Sequence, residues 1–226
     1  MSEPRQNWDL GRFVQTLNYF EAIPVVNWIQ AMFQPSVPLT PPPIQAQAGE
    51  QVLFQFPLIT DLSPTWGAVD DVVMGGVSDS RIVRSPEGAW FTGNVSTANS
   101  GGFVSVRTRN FEPPLDLSGF RTVRLKVKGD GQRYKFFLRS EAGWDTVAFA
   151  YSFDTVAGQW ISVDIPLAAM RGVVRARTLP ENIKLDQRLV RSMQLMLSKF
   201  EYDRELNPAF QAGPFSLHVE SIVAVP

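Results

Sequence analysis

The chain has 226 residues, of which 44% are hydrophobic and 19% charged, with a formal net charge of −1. Those values fit a folded domain with an appendage and give no global field for nucleic acid. With no cysteine and one histidine, His218, disulfides, thiolate nucleophiles, cysteine-ligated metals and His-rich metal sites are excluded, and a Ser-His-Asp triad has one candidate base.

The N-terminus, "MSEPRQNWDLGRF", has no basic stretch leading into an apolar run, so no secretory signal is expected. No run of apolar residues is long enough for a membrane-spanning helix. Residues 1–34 read as two short amphipathic helices. Phe13, Leu17 and Phe20 recur at helical spacing in the first. Val25, Trp28, Ile29, Met32 and Phe33 do so in the second, with Pro24 at its start. Trp8, Phe13, Leu17, Phe20, Trp28, Ile29 and Phe33 are the candidate membrane or partner anchor, since helices this short must pack on something. The destination is the domain's flank, a partner subunit or the membrane interface. The acidic residues Glu3, Asp9 and Glu21 offset Arg5 and Arg12, which favours protein, or protein with membrane, over lipid alone. Residues 35–50, proline-rich and nearly free of charge, read as an extended linker.

From residue 51 the period changes to two. "VLFQF", "AWFTGNV", "GFVSVRT", "TVRLKVK", "RYKFFLR", "TVAFAYSF", "QWISVDI", "SMQLMLS" and "FSLHVESIVAV" read as nine strands bounded by turn residues. That spacing predicts an all-β sandwich or barrel over 51–226. The stretch "PLAAMRGVVRARTLPENIKLDQRLV" breaks the rhythm and reads as a long loop with a helical turn. Asn99-Ser100-Gly101-Gly102 reads as a hairpin turn. A second hairpin reads in register, pairing Val127 with Tyr134, Leu125 with Phe136 and Val123 with Leu138 around residues 129–132. It would put Arg124, Lys126, Lys128, Arg133, Lys135 and Arg139 on one basic face. That face is either neutralised by acids on neighbouring strands, such as Asp164, or it meets an anionic partner.

The stretch "WGAVDDVVMGGVSDS" carries the residues that look most chemical. Asp70, Asp71 and Asp79 could serve a hard cation, but the spacing fits no EF-hand loop, and Gly75-Gly76 fits no phosphate-binding glycine pattern. A turn capped by Asp with glycine at positive φ is the plainest reading. A ligand or partner site built on Trp66, Asp70, Asp71, Met74, Gly75, Gly76 and Ser78 stays open, as does catalysis. Trp66 reads as core rather than as a sugar-stacking surface. His218, on the polar parity of its strand, reads as solvated or ion-paired.

These residues resemble a known family. Trp66, Asp70-Asp71, Met74-Gly75-Gly76 and Ser78 look like the signature of the complex I intermediate-associated protein 30 family. The likeness continues through "FTGNVSTANSGGFVSVRT", "GDGQRYKFFLR", "GQWISVDIPL", "SMQLMLS" and "GPFSLHVESI". "WDLGRFVQTLNYFEAIP" is similar to extensions in members from oxygenic phototrophs. The resemblance implies a galactose-binding-like jelly roll with no catalytic residues, cofactor or metal. It implies a chaperone-like assembly factor for a membrane-bound redox complex, either an NADH dehydrogenase-like complex I or a photosystem. Such a factor would bind subunits or assembly intermediates by protein–protein interaction. It would sit peripherally on the cytoplasmic side of an energy-transducing thylakoid membrane, in photosynthesis. Two alternatives remain. One is a carbohydrate-binding module using Trp66, Trp90, Trp144 or Trp160. The other is an RNA-binding accessory factor using the basic face, although Tyr134 and Phe136 point inward and disfavour base stacking.

Overall fold

The computed structural model describes residues 8–19, 46–47, 49–143, 146–175 and 177–226. The second expected helix, Phe20, Trp28, Ile29 and Phe33, most of the proline-rich linker, and Trp144 lie outside the described residues.

Among the described residues one helix, α1 (Leu10–Tyr19), precedes fourteen strands. The first seven are β1 (Ala46–Gln47), β2 (Glu50–Gln55), β3 (Trp66–Ala68), β4 (Asp79–Ser85), β5 (Gly88–Val95), β6 (Phe103–Thr108) and β7 (Thr122–Lys128). Then follow β8 (Arg133–Arg139), β9 (Ala148–Asp154), β10 (Trp160–Pro166), β11 (Arg171–Val174), β12 (Arg177–Thr178), β13 (Ser192–Ser198) and β14 (Gly213–Val225). They form two seven-stranded antiparallel sheets packed as a jelly-roll β-sandwich. Sheet I runs β1-β2-β14-β5-β4, with β7 on the free edge of β14 and β10 beyond it. Sheet II runs β12-β11-β9-β8-β13-β6-β3.

All nine expected strands are present. The stretch expected to be a long loop holds β11, β12 and two single 3₁₀ turns, Leu167–Ala169 and Gln187–Leu189. These short strands lie at the edge of sheet II, where two or three residues of pairing leave little periodicity to read.

Inward parity is as expected. Val123, Leu125 and Val127 from β7, and Tyr134, Phe136 and Leu138 from β8, have no solvent exposure. Each such side chain contributes roughly 1.5–3 kcal/mol by leaving water. The hairpin itself is not formed. β7 pairs with β10 and β14 in sheet I, whereas β8 pairs with β9 and β13 in sheet II. Residues 129–132 cross between the layers, so the two apolar rows face one another through the core instead of lying side by side. Residues 99–102 likewise cross from β5 in sheet I to β6 in sheet II. A period of two fixes which side chains are buried, but not which edge a strand bonds to.

The crossing divides the expected basic face. Arg124, Lys126 and Lys128 belong to sheet I; Arg133, Lys135 and Arg139 belong to sheet II. Most have local partners. Arg124 pairs with Asp164 at 2.6 Å and Glu50 at 3.1 Å, Lys128 with Glu87, and Arg133 with Asp154 at 2.8 Å and Glu201 at 3.3 Å. Arg139 donates to Gln194 Oε1. Lys135 is only 5% exposed, and its ammonium donates to the carbonyls of Phe200 and Glu201. Burial pulls it down to about 8.

Charge reversal separates the two lysines. Lys126→Glu is expected to change stability by less than about 0.5 kcal/mol. Lys135→Glu would set a carboxylate against two carbonyls and Glu201, costing roughly 3 kcal/mol or more. Equal urea midpoints for the two variants would contradict the burial of Lys135.

Candidate functional site

The Trp66–Ser80 stretch folds into the rim where the two sheets meet. β3 supplies Trp66 and pairs with β6. A single 3₁₀ turn, Asp71–Met74, follows, and the chain then enters β4. Trp66 is core, 2% exposed, and meets Phe54 edge-on at 5.4 Å.

Asp70 and Asp71 are 1% and 0% exposed. An unpartnered buried carboxylate is very costly, so each must be paired or saturated with hydrogen bonds. Asp70 accepts from Ser80 Oγ at 2.6 Å, Ser80 N at 2.8 Å and Ser105 N at 3.1 Å. Asp71 accepts from Ser78 Oγ at 2.6 Å, Gly102 N at 2.7 Å and Ser78 N at 3.0 Å. The adjacent carboxylates thus point into separate nests. Asp70 joins the start of β4 to β6 in the other sheet. Asp71 joins the turn to the crossing at residues 101–103.

The two glycines serve different ends. Gly75 has φ of +90°, the left-handed region. Gly76 is required for space: a Cβ there would lie 2.2 Å from Asp71 Oδ1. Met74 is 69% exposed beside this buried cluster.

The fourth partner of Asp70 comes from α1. Arg12 Nη2 donates to Asp70 Oδ2 at 2.9 Å, and Arg12 Nη1 donates to the Ser78 carbonyl at 2.9 Å. Trp8 Nε1 donates to the Val72 carbonyl at 2.8 Å. Of the anchor candidates described here, Phe13 packs on Trp8 at 5.4 Å and Leu17 is half-buried. The first helix is therefore docked on the domain's own rim. Between it and the turn lies a cleft of about 340 Å³ lined by Asp9, Arg12, Val72, Gly76, Val77 and Asp79. Among the described residues no group of three or more His, Cys, Asp or Glu could hold a metal ion.

A second arrangement lies on the outer face of sheet I. Trp90, His218, Lys128 and Trp160 fall in one cross-strand row over β5, β14, β7 and β10. His218 stacks on Trp90 at 5.4 Å and 8°, and Lys128 Nζ sits 5.1 Å from the Trp160 ring centre. His218 is half-buried rather than ion-paired. Burial first, then Lys128, holds it below its usual 6.5, while Glu87 pulls the other way. Trp90 and Trp160 are half-exposed, not core.

Sequence reasoning placed Asp70, Asp71, Ser78 and the glycines in one turn but missed Arg12, Ser80 and Ser105. Arg12 did carry a signal, as the single charge among the residues of α1.

Burial, opposed by Ser80, Ser105 and Arg12, raises the Asp70 carboxyl to about 6. The unfolded value is about 3.9, so the folded protein holds this proton more tightly. The stability contributed by protonated Asp70 is complete below about pH 4 and lost as pH rises through about 6. Asp70→Asn, which cannot ionise, should therefore gain on wild type by about 2–3 kcal/mol in urea unfolding between pH 4 and 7. Arg12→Ala should move the Asp70 titration higher still, read from its carboxyl carbon shift. An Asp70 titration within the ordinary carboxylate range would overturn both expectations.

Comparison with known proteins agrees with the fold. The chain aligns over 80% of its length with the family 11 carbohydrate-binding module of the cellulosomal cellulase Lic26A-Cel5E of Clostridium thermocellum, covering 96% of that module at 18% identity and a TM-score of 0.55. The agarase AgWH50C aligns over 79% of this chain and 25% of its own, at 9% identity and a TM-score of 0.51. At such identities the likeness is one of fold. No curated protein matches the sequence significantly. The model for "Complex I intermediate-associated protein 30 (CIA30)" matches residues 54–219, from β2 through the Asp70–Asp71 rim into β14. The chain belongs to the complex I intermediate-associated protein 30 family.

Proposed function

We propose that this chain is a non-enzymatic assembly factor. It holds subunits or intermediates of a membrane-bound redox complex, an NADH dehydrogenase-like complex I or a photosystem, at the cytoplasmic side of an energy-transducing membrane such as the thylakoid. One observation carries the reading beyond family membership. The residues of the signature that look reactive are spent inside the fold: Asp70, Asp71 and Ser78 are buried and bonded to the chain itself. A signature used this way preserves a shape, and a preserved shape suits holding another protein.

The test uses the full chain, tagged, in cells that otherwise lack it. Native electrophoresis of solubilised membranes should show it migrating with an incomplete form of one redox complex, and that complex should fall in its absence. Normal complex levels without the protein would remove this reading.

The Trp90–Trp160 row favours a second reading, as a carbohydrate-binding module, because aromatic rings bind sugars by stacking. Affinity electrophoresis through mixed-linked β-glucan decides it. Retardation lost in Trp90→Ala and Trp160→Ala would support a module, and migration unaffected by glucan would remove it. An RNA-binding role is weakened by the division of the basic residues between two sheets.

A further inference from the structure

α1 is seated by its polar side. Arg12 and Thr16 turn toward the domain, Thr16 being 8% exposed and Arg12 bonded to Asp70 and Ser78. Leu10 and Val14 turn outward, 58% and 40% exposed, while Phe13 and Leu17 are half-buried. Leu10 and Val14 are one turn apart on the same helix face. The turn against which α1 packs adds Met74, 69% exposed. An amphipathic helix ordinarily buries its apolar stripe against its own core; here Leu10 and Val14 are presented to the surroundings.

The cleft at the foot of the helix is mostly acidic. Asp9 and Asp79 line the cleft at the foot of the helix. Among the described residues of the lining the one cation is Arg12, already bonded to the buried Asp70 carboxylate and the Ser78 carbonyl. Val72 and Val77 form apolar walls. An anionic lipid surface would find carboxylates where it needs cations. An aliphatic stem ending in a positive charge finds apolar walls and carboxylates together.

We propose that the cleft between α1 and the Gly75–Gly76 turn docks a partner protein segment. That segment inserts one arginine or lysine side chain toward Asp9 and Asp79. It lays the apolar residues beside that side chain on Val77 and the exposed Met74 of the adjoining turn. This rests on the reading that the chain holds other proteins.

The test titrates isotope-labelled full chain with a capped leucine–arginine–leucine peptide and, separately, with its leucine–glutamate–leucine counterpart. The arginine peptide should shift the amides of Asp9, Gly76, Val77 and Asp79 saturably, and the glutamate peptide should not. The double variant Asp9→Asn, Asp79→Asn should weaken the arginine peptide about tenfold. It should leave other amides in place, since asparagine can still accept the Arg12 N–H that Asp9 Oδ1 accepts at 3.1 Å. Equal shifts from both peptides, no saturable shift, or undiminished binding by the double variant would overturn the proposal. So would pelleting of the full chain with phosphatidylglycerol–phosphatidylcholine vesicles at physiological salt, because lipid would then be the occupant. If the double variant still migrates with the redox complex while wild type does so too, this surface fails and the assembly role stands. If neither migrates with it, the assembly role fails and the peptide titration still judges the cleft.

Discussion

Two adjacent carboxylates with almost no access to water govern the rim of this sandwich. Asp70 and Asp71 cannot stay buried unless several donors converge on each. Those donors come from Ser78 just before β4, from β4, from β6, from the crossing that precedes β6, and from α1. The carboxylates therefore hold parts of both sheets and the helix in one relation. The need for donors explains the serines at positions 78 and 80, which each present a hydroxyl and a backbone N–H to one carboxylate. The need for close approach explains Gly76 and Gly101, where a Cβ would run into Asp71.

The rim also shows why a chemically suggestive motif need not be a reacting one. A catalytic or metal-binding carboxylate keeps part of its lone-pair capacity for a ligand. Asp71 instead has close donors on both oxygens from Ser78 and Gly102. What the motif leaves for the outside is relief: Met74 standing out, a cleft beside Val77, and a helix seated by Arg12.

Much of the fold was legible in the sequence, because alternation over seven or eight residues states which side chains face a core. β7 and β8 were located that way and their inward rows were correct. Their partners were not legible. Val127 and Tyr134 satisfy the same pattern whether they face across a ladder or across the interior, and only the rest of the sheet decides. β4, in "DSRIVRS", was hidden because its outer residues alternate between two charges and a half-buried valine near the sheet edge. The site was half legible. Asp70 and Asp71 stood out by type, but their donors lie up to 58 positions away, and no local spacing connects Arg12 to Asp70.

β14 has a consequence for how the molecule comes into being. Its thirteen residues pair with β5 and β2 along one edge and with β7 along the other, so it is the spine of sheet I. It is also the last strand in the chain order. During synthesis from the N-terminus, β2, β5 and β7 leave the ribosome well before the strand that joins them. Sheet II has all its strands by residue 198 and can close first. Sheet I must wait, with open edges beside the apolar residues of β5 and β7, until Val225 has emerged. The nascent chain thus passes through a stage at which one layer is complete and the other is three separate pieces, when unpaired edges invite wrong pairings and a holding chaperone has most to protect.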